Sequence, residues 1–135
     1  MLFVIDTNIL LVSLKRGTKY SIIFEQLVNE RFDLAISNEI IYEYFELIDR
    51  KINDVVADKV INLLIALPNV HIHEPFFKWN LISNDETDNK FVDCAIAGGA
   101  DYIVTNDKHF NILNQIDFPK IKLLTIDEFI KLLKA

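Results

Sequence analysis

Three acidic residues stand where an α/β fold would bring carboxylates together. Asp6 directly follows a short apolar run, residues 2–5. Asp107 lies two residues beyond a second such run, residues 102–105, and Asp88 opens the helical pattern that leads into that run. Carboxylates gathered in one place repel one another unless a cation is present, and Mg²⁺ prefers such oxygen ligands. One or two ions of this kind can activate water for hydrolysis of a phosphodiester bond.

A fourth acid, Glu43, belongs to a helical stretch that also carries Glu39, Glu46 and Asp49. The apolar residues of this stretch cover an arc of roughly 160° around the helix, at about 100° per residue. Glu43 lies about 40° outside that arc, and the other three acids point further towards solvent. Glu43 is therefore the acid of this helix best placed to reach a site at the edge of a sheet. The candidate site is Asp6, Glu43, Asp88 and Asp107.

The elements that must position these acids alternate along the chain. Short apolar runs predict strands at residues 2–5, 33–36, 70–72, 102–105 and 122–124. Helical periodicity occupies residues 8–14, 21–30, 37–51, 54–67, 91–99 and 126–133, with Ser37 at an N-cap and Thr125 with Glu128 as a capping box. This alternation predicts an α/β domain spanning residues 1–135, a doubly wound parallel sheet of about five strands with helices on both faces.

The predicted topology gives the acids a common location. In a doubly wound sheet, ligands bind beyond the carboxyl ends of the strands, where the strand order reverses. If the first and fourth strands are neighbours, as the usual doubly wound orders require, Asp6 and Asp107 meet at one edge.

Composition restricts the classes of protein to consider. The 135 residues suit one domain, and 20 acidic against 14 basic residues give a net charge of −6. This balance disfavours a broad basic surface for nucleic acid, but cations held by carboxylates would present positive charge to a phosphate. Lys15, Arg16 and Lys19 are candidates for a local basic rim, the alternative being an ordinary solvated loop.

Cysteine and histidine offer little alternative chemistry. A single cysteine, Cys94, excludes an internal disulfide framework and a multi-cysteine zinc site, and its apolar helical surroundings predict burial. His71 and His73 share a face of one predicted strand, but no third metal ligand accompanies them, so we interpret them as ordinary strand residues. No membrane-spanning run and no signal peptide are predicted, which makes the cytoplasm the expected location.

Three blocks of sequence occur in a recognisable order. The first is VIDTN, residues 4–8. The second is SNEIIYEYFELI, residues 37–48, and the third is DNKFVDCAIAGGADYIVTND, residues 88–107. Together with the short C-terminal strand and helix, they resemble the PIN-domain nucleases over nearly the whole chain. The resemblance implies a Mg²⁺- or Mn²⁺-dependent endoribonuclease in which Asp6, Glu43 and Asp88 hold the metal and Asp107 is a direct or water-mediated ligand.

The resemblance also implies partners. Many small PIN-domain members are VapC-like toxins of bacterial toxin–antitoxin pairs, neutralised by an antitoxin protein, and they commonly form homodimers. The alternative is a non-catalytic PIN-like scaffold or an RNA-binding interaction protein. Such a chain would be expected to have lost acids, whereas all four are present here.

Neighbouring residues leave some roles open. Related chains often carry an acid just before the third catalytic Asp, where this chain has Thr87, so Asp85 is an alternative to the favoured Asp88 as principal ligand. Asp93 lies five residues beyond Asp88, which turns it about 140° around the helix, and we leave it out of the catalytic set. His109 follows Asp107 closely, so contact with RNA or with the site is one alternative; the favoured interpretation is a surface residue at a helix start.

Overall fold

Short apolar runs form a parallel sheet, and amphipathic segments form the helices that cover it. The computed structural model describes residues 1–83 and 86–135. The strands are β1 (Leu2–Ile5), β2 (Asp33–Ile36), β3 (Val70–Ile72), β4 (Tyr102–Val104) and β5 (Leu123–Leu124). The α-helices are α1 (Thr7–Ser13), α2 (Ser21–Val28), α3 (Asn38–Lys51), α4 (Asp54–Ala66), α5 (Asn89–Gly98) and α6 (Ile126–Lys134). Two 3₁₀ helices span Glu86–Asp88 and Lys108–Gln115.

The sheet confirms the predicted fold class. Its five strands are all parallel and lie in the order β3-β2-β1-β4-β5. The chain builds outward from β1 to β3, then returns to place β4 on the other side of β1. The strand order therefore reverses between β1 and β4, and the carboxyl ends of these two strands flank the crevice where doubly wound sheets bind ligands.

Local signals in the sequence fix where several helices begin. The Ser37 side chain accepts a hydrogen bond from the Ile40 amide, which confirms the predicted N-cap of α3. At α6 both bonds of the Thr125 and Glu128 capping box are present. Gly99 takes a left-handed conformation, φ 67°, at the end of α5, as helix C-terminal glycines often do.

The hydrophobic core packs around β1 and β4, the two strands whose carboxyl ends flank the crevice. Phe3 of β1 packs against Phe129 of α6 and against Phe32, with ring centroids 4.7 Å and 5.5 Å away. Helix α5 packs against β1, β2 and β4 and buries Cys94, as predicted. Because these contacts are buried on the sheet, the ends of β1 and β4 are held at a fixed separation.

Sequence analysis placed His109 at a helix start, but the 3₁₀ helix Lys108–Gln115 itself was not predicted. It buries Phe110 and Leu113, two residues three apart, which is too short a pattern to distinguish a turn of helix from a loop. Within the described ranges 1–83 and 86–135, no helix has the length and hydropathy needed to cross a membrane.

Candidate functional site

Asp6 lies at the point where β1 becomes α1. Its amide donates to the Val104 carbonyl at 2.9 Å, so Asp6 extends the pairing of β1 with β4. Its own carbonyl accepts from the amides of Ile9 and Leu10, which makes Asp6 the N-cap residue of α1. Strand and helix together hold this residue, and its side chain is buried at the sheet edge.

The Asp6 carboxylate is linked to the end of β4 by one hydroxyl. Thr105 Oγ1 donates to Asp6 Oδ2 at 2.7 Å. Thr105 Oγ1 also accepts a hydrogen bond from the Asp107 amide at 3.0 Å. The backbone that carries Asp107 is therefore fixed relative to the Asp6 carboxylate, as expected if the first and fourth strands are neighbours.

Burial and neighbouring charge both act on Asp6. Its pKa is raised above the usual value, mainly because burial removes water from the carboxylate. The hydrogen bond from Thr105 lowers the pKa in part, and the negative charges of Glu43 and Asp107 raise it. An added cation would relieve each of the raising effects, since it stabilises the ionised form.

Asp88 and Asp107 approach each other together with His109. One potential ligand atom from each of the three lies within 4.8 Å of the others. His109 Nδ1 is 3.5 Å from Asp107 Oδ1 and 3.9 Å from Asp88 Oδ2. Asp88 is buried at the N-terminus of α5, whereas the other two side chains are partly exposed. These potential ligand atoms come from two segments, one before β4 in the sequence and one after it.

Glu43 reaches the site from α3 but has other immediate partners. Its carboxylate accepts a hydrogen bond from the Thr7 hydroxyl and, at 2.7 Å, from Lys90 Nζ. The neighbouring Tyr44 is fully buried, and its hydroxyl donates to the Ile5 carbonyl, which ties α3 to the end of β1. Glu43 therefore lies beside Asp6 and is not part of the Asp88–Asp107–His109 group.

The remaining acids considered from sequence have different surroundings. Asp93 accepts a hydrogen bond from the Trp79 amide at 3.1 Å and stands outside the Asp88–Asp107–His109 group. Asp85 lies outside the described residues.

Side chains that contact the acids were missed by sequence reasoning. Thr7 is one position from Asp6, and Thr105 is two positions from Asp107. Their closeness in sequence to the candidate acids could have marked them as site residues. No such sequence signal pointed to Lys90, because it contacts Glu43 across 47 positions of sequence.

A groove opens beside the acids. Its volume is about 420 Å³, and Asp6, Asp107, Asn8, Val12 and Tyr20 contribute to its lining. Both carboxylates therefore border space that a ligand can enter. 

Of the candidate basic residues, Lys15 and Arg16 are exposed on the adjoining loop, as either a basic rim or a solvated loop requires. Lys19 is exposed too, with its Nζ 3.5 Å from the Asp127 carboxylate. An exposed pair of this kind is weak, so Lys19 stays available to a phosphate.

The donor chemistry suits a hard divalent cation. Carboxylate oxygens dominate the set, and the desolvated Asp6 together with the close approach of Asp88 and Asp107 creates a concentration of negative charge. Carboxylate oxygens and water are the ligands that both Mg²⁺ and Mn²⁺ prefer. The residues present fit either ion.

The fold and this acidic edge define a class of protein. A family model described as PIN domain matches residues 3–109. The chain belongs to the PIN domain family. Comparison with curated proteins gives no significant match.

Two solved structures are similar to this chain. One is VapBC2 from Rickettsia felis, bound to a DNA fragment from their promoter, with a TM-score of 0.62 and 18% identity, covering 93% of this chain and 98% of that one. The other is VapBC-1 from nontypeable Haemophilus influenzae, with a TM-score of 0.61 and 17% identity, covering 94% and 99%. At these identities the likeness establishes the fold alone.

Proposed function

We propose that this protein is a divalent-metal-dependent endoribonuclease whose site is Asp6, Glu43, Asp88 and Asp107. The observation that carries the proposal is the convergence of acids from separate segments at the β1 and β4 ends. Asp6 and Asp107 share the Thr105 hydroxyl, and Asp107 approaches Asp88 closely enough for one cation to contact both. Membership of the PIN domain family supports the nuclease assignment.

Each acid has a distinct role in the proposal. Asp6, Asp88 and Asp107 would hold the ion, Mg²⁺ or Mn²⁺. The family resemblance implied Glu43 as a metal ligand too, but both oxygens of its carboxylate contact Thr7 and Lys90, so we place Glu43 beside the ion-binding acids. When bound, the ion lowers the pKa of water and offsets charge on the phosphate oxygens. Thr105 orients the Asp6 carboxylate through its hydrogen bond.

Hydrolysis by water is favoured over a covalent route. Burial raises the pKa of the Cys94 thiol to about 12, so the chain's one cysteine is not an available thiolate. The carboxylates can instead hold a water near the ion and accept its proton.

The choice of RNA rests on the family resemblance, and the charge of the protein is compatible with it. With a net charge of −6, phosphate contact has to come from the bound ion and from local cations. The exposed Lys15 and Arg16, on the loop between α1 and α2, supply such cations.

The test is cleavage of a labelled single-stranded RNA by purified protein with Mg²⁺, with Mn²⁺ and with EDTA, beside a DNA of the same sequence. We expect metal-dependent cleavage of RNA, lost in Asp6→Asn and kept in Asp58→Asn, which makes the same chemical change on the exposed side of α4. Equal activity of wild type and Asp6→Asn would identify a contaminant. Inactivity of the wild type on varied RNAs would leave a binding or scaffold role.

We further propose that the protein is the toxin of a type II toxin–antitoxin pair, acting in the cytoplasm as a homodimer. The two similar solved structures are VapBC proteins, which supports a partner of the VapB kind. Co-expression with a small protein encoded beside this chain should suppress both RNA cleavage and growth arrest; unchanged cleavage in a stable complex would contradict it. Light scattering should give twice the 15.7 kDa mass of one chain.

A further inference from the structure

The Lys90 ammonium group contacts Glu43, one of the proposed site acids, directly. Its Nζ is 2.7 Å from Glu43 Oε1, and it also donates to the Thr87 carbonyl. The Lys90 side chain is only 14% exposed, and that of Glu43 is 33% exposed. By comparison, the surface pair of Lys19 and Asp127 is 63% and 73% exposed.

Burial makes this pair hard to separate. A partly buried ion pair is screened less than a surface pair, and removing one partner leaves an uncompensated charge. The Thr87 carbonyl, in the 3₁₀ helix Glu86–Asp88 that precedes α5, fixes the lysine, and the Thr7 hydroxyl fixes the opposite Glu43 oxygen. Both oxygens of the Glu43 carboxylate are therefore engaged by groups of the protein itself.

The acids consequently fall into two halves. One half consists of Asp88, Asp107 and His109, whose ligand atoms lie close together. The other half consists of Glu43 with its two partners, Thr7 and Lys90. Asp6 is connected to both halves, since Thr105 links its carboxylate to the Asp107 amide and the next residue along the chain, Thr7, contacts Glu43. In the first half the imidazole of His109 lies beside the two acids, whereas in the second half the Lys90 ammonium contacts Glu43 directly.

We propose that Lys90 is a resident cation of the Glu43 half, so that the site binds one divalent ion, held by Asp6 and the Asp88–Asp107 half. The lysine ammonium takes the place that a second divalent ion would occupy beside Glu43. This inference rests on the proposed function, because it assumes that the acids form a metal site. Lys90 acts through Glu43 and is a positioning residue.

The chemistry of an ammonium group suits this role. It carries one positive charge on three donors, so it neutralises one carboxylate without demanding the octahedral shell that Mg²⁺ requires. Because it is covalently attached, it stays in place when the divalent ion leaves. The Glu43 half is thus already neutralised, and the acids on the other half are the ones that gain most from a divalent ion.

The test counts bound ions directly. Mn²⁺ is titrated into the full chain, and free Mn²⁺ is followed by its electron paramagnetic resonance signal. We expect one ion per chain for wild type and two for Lys90→Met, because removal of the ammonium opens the Glu43 half. Lys90→Arg keeps the positive charge and should return the count to one. Lys59→Met, which removes a lysine from the exposed side of α4, should also bind one ion.

Several outcomes would overturn the proposal. Two ions in the wild type would do so, as would one ion or none in a folded Lys90→Met protein. Thermal unfolding in EDTA checks the fold of each variant. If Lys90→Met does not fold, the test uses Lys90→Gln, which keeps a polar side chain. We expect two ions in that variant and one in the wild type.

This count is independent of RNA cleavage. A wild type that binds one ion but does not cleave RNA would refute the proposed function and leave the role of Lys90 standing. A wild type that cleaves RNA with two bound ions would support the proposed function and refute the role of Lys90.

Discussion

The Thr105 hydroxyl donates a 2.7 Å hydrogen bond to the Asp6 carboxylate, although the two residues are 99 positions apart. The contact exists because β1 and β4 are neighbours in the sheet. The hydroxyl also accepts from the Asp107 amide, so it has a donor role towards one proposed metal ligand and an acceptor role towards the backbone of another. Removal of the Thr105 hydroxyl should therefore impair metal binding more than it lowers the stability of the fold.

Replacing Thr105 by Val should shift the pH dependence of the nuclease. The hydrogen bond lowers the pKa of Asp6, so its removal raises that pKa, and a higher pH is then needed to ionise Asp6 for metal binding. We expect the acidic limb of the kcat/KM profile to move to higher pH, with a loss at neutral pH of about 10- to 150-fold, in line with roughly 1.5–3 kcal/mol for a hydrogen bond to a charged group. Thr105→Ser keeps the hydroxyl and should preserve the profile; an unshifted limb in the Val variant would contradict the role of the bond.

Asp6→Asn should stabilise the metal-free protein at neutral pH. The folded-state pKa of Asp6 lies above its usual value of 3.8, so protonated Asp6 favours folding. That contribution is fully present below pH 3.8 and is lost as the pH rises through the folded-state pKa. At pH 7 in EDTA the neutral amide removes the desolvation cost of the ionised carboxylate. We expect a gain of about 1 kcal/mol, or roughly 3–5 °C in Tm.

Asp58→Asn is the control for this effect, since Asp58 is exposed on α4 and should change Tm little. Saturating Mg²⁺ should reverse the order, because the ion stabilises wild type and binds the Asp6→Asn protein weakly. A lower Tm for Asp6→Asn in EDTA would show that the carboxylate stabilises the metal-free fold.

Sequence patterns predicted the scaffold because each signal acts over a few residues. The Ser37 cap and the Thr125 capping box are local hydrogen-bonding patterns, and the buried strands are continuous apolar runs. The adjacency of the first and fourth strands followed from the limited set of doubly wound topologies.

The contacts around Glu43 were beyond such signals. The helical arc indicated that Glu43 could reach the sheet edge, but its partners Thr7 and Lys90 are 36 and 47 positions away in the sequence. Pairing over these separations depends on how α3 and α5 pack, which periodicity within either helix does not specify. Contact of His109 with the site was considered because it follows Asp107 closely, but its approach to Asp88, 21 positions earlier, could not be derived from local sequence.

Cys94 should be unreactive in the folded protein. Burial raises its thiol pKa to about 12, so almost no thiolate exists at pH 8. Ellman's reagent should label no thiol in the native state and one per chain in guanidinium chloride. Rapid labelling of the native protein would show that α5 opens readily or that Cys94 is accessible.

Tyr20→Ala should weaken RNA binding more than it slows chemistry. Tyr20 lines the groove that Asp6 and Asp107 border, and stacking of a base on an aromatic ring contributes about 1–3 kcal/mol. We expect KM for a short RNA to rise at least fivefold with kcat nearly unchanged, measured under steady-state conditions. Tyr20→Phe keeps the ring and should resemble wild type, whereas a fall in kcat alone would assign Tyr20 a different role.

The most direct test of the four-acid site is the single-turnover rate of RNA cleavage at saturating Mn²⁺ for conservative variants of each acid. We predict losses of at least about 100-fold for Asp6→Asn, Glu43→Gln, Asp88→Asn and Asp107→Asn, equivalent to roughly 2.7 kcal/mol or more of transition-state stabilisation. The matched variants Asp58→Asn and Asp93→Asn should stay within a few-fold of wild type when they are equally folded. Near wild-type cleavage by any of the four, or loss of cleavage in a folded Asp93→Asn protein, would contradict this composition of the site.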